Sequence, residues 1–134
     1  MKDKEPMPTF SKRVRFSNLA GTALVEADAI VDTGATFCHI PAEIAAQLNL
    51  APRTARRFRL ANGQVVEYRV ANALVELVDQ GEIIATSVAI GEPGAAVLLG
   101  ALALDAFGLG IDTEGRRLIP KISDLLLETG WSTI

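Results

Sequence analysis

Apolar and polar residues alternate along this chain in short runs, each closed by a turn signal. Arg13-Val14-Arg15-Phe16 alternates with period two, the mark of a half-buried strand. Gly21 then turns the chain into 22–31, where Leu24, Val25, Ile30 and Val31 predict a second strand. Phe37-Cys38-His39-Ile40 reads as a third. Pro41 suits the first position of a helix, which is predicted over 42–50 with Ile44 and Leu48 on one face. Pro52 ends it, and a β-rich region follows. Arg57-Phe58-Arg59-Leu60 alternates up to Asn62-Gly63, the strongest hairpin signal in the chain and read as a two-residue turn, and the return strand runs from Gln64 through Val70 toward Val78. After Asp79-Gln80-Gly81-Glu82 comes a strand over 83–90, and after Gly91-Glu92-Pro93-Gly94 a short apolar strand, Val97-Leu98-Leu99. Gly100 breaks that strand before a short helix over 101–107, which ends near Gly108. A last hairpin joins 109–111 to Leu118-Ile119, and Ser123 is placed to cap a tail helix over 124–129, closed by Gly130.

Many short strands at turn-punctuated spacing, with one or two short helices, predict an all-β chain folded as a small closed β-barrel. At 134 residues the chain is one domain able to bury about two thirds of its unfolded surface. Residues 1–11 read as a loose arm, 12–120 as the folded domain and 121–134 as a tail. Hydrophobic residues make up 49% of the chain but aromatics only 5%, so Leu, Val, Ile and Ala should fill the core. A net charge of −3 argues against a nucleic-acid partner. One Cys and one His offer neither a disulfide framework nor a zinc ligand set. The N-terminus lacks the apolar run of a signal peptide, and the most apolar stretch, 94–104, is too short to span a bilayer, so a soluble, cytoplasmic protein is expected, with no membrane partner.

The candidate chemistry sits at Ile30-Val31-Asp32-Thr33-Gly34-Ala35-Thr36. An apolar strand delivers a carboxylate into a tight loop, where Gly allows close backbone approach. A charge in such a place is costly unless its neighbours are arranged to hold it. Cys38 and His39 lie in the strand beyond and read as core residues, not as a catalytic pair. Arg53, Arg56, Arg57 and Arg59 read as a solvated strand face.

Asp32-Thr33-Gly34-Ala35-Thr36 after an apolar strand, with Leu98-Leu99-Gly100 and a short helix downstream, resembles the retropepsin-like aspartic proteases in their single-domain bacterial and cellular form. The resemblance spans roughly 14–120 and implies the retroviral-type acid protease fold. It implies that Asp32 is catalytic within the loop Thr33, Gly34, Ala35 and Thr36, with Leu98, Leu99 and Gly100 supporting that loop. Thr33 would bond across a twofold axis, Gly34 would lie near the substrate backbone, and the hairpin tip Ala61, Asn62 and Gly63 would cover the substrate as a flap. Viral enzymes carry an Asp and an Arg where this chain has Thr36 and Ala101, so both members of that pair are replaced together.

Amide hydrolysis by this chemistry needs two carboxylates sharing one proton. The chain has one such loop, since Asp112-Thr113 runs on into Glu114 and reads as hairpin chemistry. A homodimer follows, acting on a peptide or protein substrate, with no cofactor and no metal. The alternatives are a non-catalytic dimeric barrel that binds peptides or partners, and a phosphoryl-transfer enzyme. The latter wants a second acidic Mg²⁺ site and a larger α/β framework.

Overall fold

The computed structural model describes residues 9–125. Its elements in chain order are β1 (Ser11–Ser17), β2 (Leu24–Val31), β3 (Cys38–Pro41), α1 (Ala42–Gln47), β4 (Thr54–Arg59), β5 (Val65–Leu77), β6 (Ile83–Gly91), β7 (Leu98–Leu99), α2 (Ala101–Phe107), β8 (Leu109–Asp112) and β9 (Arg117–Pro120). The predominance of strands with two short helices is the expected all-β architecture. Seven strands form one sheet in the order β1-β2-β7-β3-β6-β5-β4, and a further β1–β5 pairing brings hydrogen bonding back to its starting strand. β4 stands outside this ring as an edge strand on β5, and among the described residues β8 pairs only with β9.

The alternation in β1 explains the ring. Val14 and Phe16 point inward and are fully buried. Arg13 and Arg15 point outward among carboxylates of the flanking strands. Val14 pairs with Ala27 of β2 and with Leu77 of β5, so one strand bridges both neighbours. The core adds Ile40, Leu48, Val75, Val88, Leu99, Leu104 and Phe107, aliphatic apart from the Phe residues.

Arg15 binds Glu26 across to β2 and Glu76 across to β5. The Arg15 hydrogen bond holds the Glu26 carboxyl below its usual range. A depressed folded-state pKa gives stability that is present above the unfolded value and fades as pH falls through the folded one. Glu26→Gln should therefore flatten the acid limb of the melting-temperature profile, leaving a small deficit at neutral pH. Superimposable profiles across pH 3–5, about where carboxylates titrate, would remove Glu26 from the acid response.

Several boundaries differ from the sequence reading. β1 begins at Ser11 rather than Arg13, because the Phe10 carbonyl accepts the Val31 N–H at 2.9 Å and seats the strand start. Helix α1 stops at Gln47, and Asn49 turns into the left-handed region at φ 55. Pro41 is its extended N-cap, not its first helical residue, because it is still paired in β3. The Asn62-Gly63 hairpin is a three-residue loop. The Leu60 N–H bonds Gln64, the Leu60 carbonyl accepts the Gly63 N–H, and only Gly63 has positive φ, at 88. This is a type I turn closed by a glycine bulge. The tail helix falls mostly outside the described residues, as does Trp131; 121–125 are irregular and exposed.

Candidate active site

Strand β2 ends at Val31, and the next backbone N–H, that of Asp32, donates to the Leu99 carbonyl at 3.0 Å. The loop then turns tightly. The Ala35 N–H donates to the Asp32 carbonyl at 3.2 Å, and the Gly34 N–H to Asp32 Oδ1 at 2.9 Å. A Cβ on Gly34 would stand 3.2 Å from that same oxygen, so glycine leaves the carboxylate room beside its donor. Thr33 is exposed, and its hydroxyl has no hydrogen-bond partner among the described residues.

Helix α2 secures the loop from beneath. A helix start leaves backbone N–H groups without intrahelical partners. Here the Ala101 N–H donates to the Ala35 carbonyl at 2.7 Å and the Leu102 N–H to the Thr36 carbonyl at 3.0 Å. Gly100 makes this approach possible, since a Cβ there would lie 2.4 Å from the Phe37 oxygen and 2.8 Å from the Ala35 oxygen. Leu99 is buried beside it, and Leu98 pairs with Ile30 on one side and His39 on the other. Asp32–Thr36 and Leu98–Gly100 are thus one hydrogen-bonded unit.

Two concavities flank Asp32. One, of about 540 Å³, is lined by the Asp32 loop, by β3 and by the β4–β5 hairpin. The other, of about 670 Å³, lies on the Thr33 side against α2 and β8. Leu60, at the base of the hairpin loop, lines the first. The tip residues Ala61, Asn62 and Gly63 are exposed and do not line it.

Of the two groups read as core residues, Cys38 is buried, whereas His39 is half-buried and lines the first concavity. Burial pushes the Cys38 thiol up to about 11, opposed only in part by a backbone hydrogen bond from Gly100. His39 Nδ1 lies 2.8 Å from the Ala96 carbonyl, which requires the hydrogen on Nδ1. Its ring fills the space over Gly91, where a Cβ would meet Nε2 at 2.2 Å. Among the described residues no group of three or more His, Cys, Asp or Glu is placed to hold a metal ion. Nor is any helix among the described residues long and apolar enough to cross a membrane.

Residues 23–106 match the family described as "gag-polyprotein putative aspartyl protease", which covers the Asp32 loop, the hairpin and α2. The chain belongs to this aspartyl protease family. No curated protein matches it by sequence. Among solved structures it is similar to the solution structure of the Simian Foamy Virus (mac) protease, at 17% identity and TM-score 0.52, covering 73% of this chain and 94% of that one. It is also similar to the crystal structure of a retropepsin-like aspartic protease from Rickettsia conorii, at 24% identity and TM-score 0.51, covering 78% and 84%. Both likenesses establish the retropepsin fold, now fixed on a chain whose family is known.

Within this aspartyl protease chain, the sequence reading missed a row of rings along the groove. Phe37 meets Phe58 edge-on at 5.7 Å, Phe58 lies 6.0 Å from Tyr68, and Tyr68 lies 5.8 Å from His39. The signal was present as period two. Phe58 pairs with Val66 and Arg56 with Tyr68, so Arg56, Phe58 and Tyr68 share one face of the hairpin.

Proposed function

We propose that the protein is an aspartic endopeptidase active as a homodimer, with Asp32 of each copy forming the catalytic pair. The observation that carries this reading is the Asp32 loop itself, clamped by Leu99 and α2 beside a groove lined by the β4–β5 hairpin. Membership of an aspartyl protease family supports it. One chain supplies one such carboxylate, and a twofold axis supplies the second.

Two carboxyls at van der Waals distance hold one proton between them, because both cannot ionise together. The ionised member takes a proton from water as that water attacks the scissile carbonyl, and the protonated member donates to the carbonyl oxygen. The proton taken from water then passes to the amide nitrogen as the C–N bond breaks, and a hydroxyl of the intermediate returns its proton to the other carboxylate, restoring the pair. Thr33 is free to bond its counterpart across the axis, and the larger concavity on its side offers the face for the second copy. The β4–β5 hairpin acts as the flap, closing over the peptide and excluding water.

The direct test is cleavage of an apolar peptide at acid pH, inhibited by pepstatin, with sedimentation of the same sample. A protein that dimerises and binds peptide without cutting it would instead be the non-catalytic binding barrel. Thr33→Ala should shift the monomer–dimer balance toward monomer and lower activity most at dilute enzyme. An unchanged sedimentation profile on dilution would take Thr33 off the axis. Gly63→Val tests the flap. Its φ of 88 strains a β-branched residue by about 1–2 kcal/mol, but open space surrounds it. Turnover should fall several-fold while the melting temperature drops by about 3–10 °C, as that strain requires, with the fold retained. Parental turnover would mean the hairpin does not close.

A further inference from the structure

The charges of this protein are distributed unevenly. On β1, Lys12, Arg13 and Arg15 are all ion-paired, with Asp79, Glu26, Asp28 and Glu76. Arg117 and Lys121 are paired as well. The arginines of the β4 edge strand are not: Arg56, Arg57 and Arg59 have no carboxylate partner among the described residues. All three are exposed, as a solvated face requires, and all three line the groove. Apart from Asp32, they are the only Asp, Glu, Lys or Arg among the described residues that line it. A chain of net charge −3 thus presents a basic rim along the β4 side of the groove.

The rim is in register with the rings. Arg56 lies two residues from Phe58 on the same face of β4, about 7 Å along the strand. Phe58 packs on Phe37, which adjoins the Asp32 loop. An extended peptide repeats its side chains with the same spacing. A large apolar side chain against Phe37 and Phe58 would therefore bring the residue two positions away under the Arg56 guanidinium. A carboxylate there gains charge-assisted hydrogen bonds, and an ammonium is repelled.

We propose that the groove selects peptides with an acidic side chain two residues from a large apolar one. This deepens the peptidase reading and rests on it for the placement of a peptide beside Asp32. Electrostatic selection of this kind acts on encounter and specificity more than on maximal affinity, and it fades with salt.

The test separates binding from hydrolysis by using the full-length Asp32→Asn protein. Fluorescent peptides sharing one large apolar centre carry Glu, Gln or Lys two residues away on both sides, and their binding is followed by anisotropy. At low salt the Glu peptide should bind roughly fivefold more tightly than the Lys peptide, with Gln between, and the three should converge at high salt. Arg56→Glu should reverse the order. Equal affinities, a preference for Lys, or no binding by any peptide would overturn the inference. Incubating the same peptides with wild-type protein tests the chemistry separately. Acidic preference without cleavage would leave the groove assignment standing and defeat the peptidase, and cleavage without charge preference would do the reverse.

Discussion

Asp32→Asn is expected to abolish peptide hydrolysis, by at least about 10³-fold, and to leave fold and dimer nearly intact. The structural half of this expectation rests on one contact. Oδ1 accepts the Gly34 N–H at 2.9 Å, and an asparagine amide oxygen can accept it equally. No other side-chain hydrogen bond to the carboxylate exists among the described residues, so the loop keeps its shape. The chemical half rests on charge. With an amide in each copy, neither member can take a proton from water and no proton is shared between them. Steady-state cleavage at acid pH, with a thermal melt and a sedimentation run on the same preparation, checks both halves. Turnover within about tenfold of the parent would rule out carboxylate catalysis at this position. A collapsed melting temperature would instead assign Asp32 a structural role as a turn-shaping residue.

What could be read from the sequence follows from how locally each feature is determined. Strands with one buried face announce themselves, as Val14 and Phe16 do between the arginines of β1. Gly-bearing turns do too, and the Asp32 loop and the Leu98-Leu99-Gly100 element stand out as motifs. Their connection is implied by the family resemblance, but the bonds that make it are not legible in either segment. The N–H groups of Ala101 and Leu102 reach the carbonyls of Ala35 and Thr36 only because a distant segment folds beneath the loop. Edge strand β4 was half seen, since its exposed Thr54–Arg57 stretch is held by pairing with β5 rather than by its own pattern. Asn62-Gly63 promised a two-residue turn. The chain instead uses Ala61 as well, so that Asn62 stays at negative φ and its Oδ1 accepts the Gln64 N–H. The ring row of Phe37, Phe58, Tyr68 and His39 needed cross-strand register, which no single segment encodes. The arginines are correctly legible as exposed, and their place on the groove rim again depends on register.

Gly100→Ala is expected to damage the site more than any other one-methyl change. Gly100 has φ −92 and ψ −179, extended backbone that alanine adopts without strain. The penalty is purely one of space. The new Cβ would stand 2.4 Å from the Phe37 oxygen, 2.6 Å from its carbonyl carbon and 2.8 Å from the Ala35 oxygen. These are backbone atoms and cannot rotate aside, so either the loop or α2 must move. Movement of either lengthens and weakens the Ala101–Ala35 and Leu102–Thr36 hydrogen bonds that tie the loop to α2. Overpacking and lost bonding together should cost about 2–4 kcal/mol, with the Asp32 carboxylate displaced as the loop shifts. Gly94→Ala is the matched control. It sits at φ 76 with open space around it, so alanine there should cost about 1 kcal/mol of backbone strain and leave the loop alone. Urea melts give the stability of each variant, and amide chemical shifts of residues 32–36 report the loop directly. A Gly100→Ala protein with parental stability and unmoved loop resonances would show that the loop does not depend on its contact with α2.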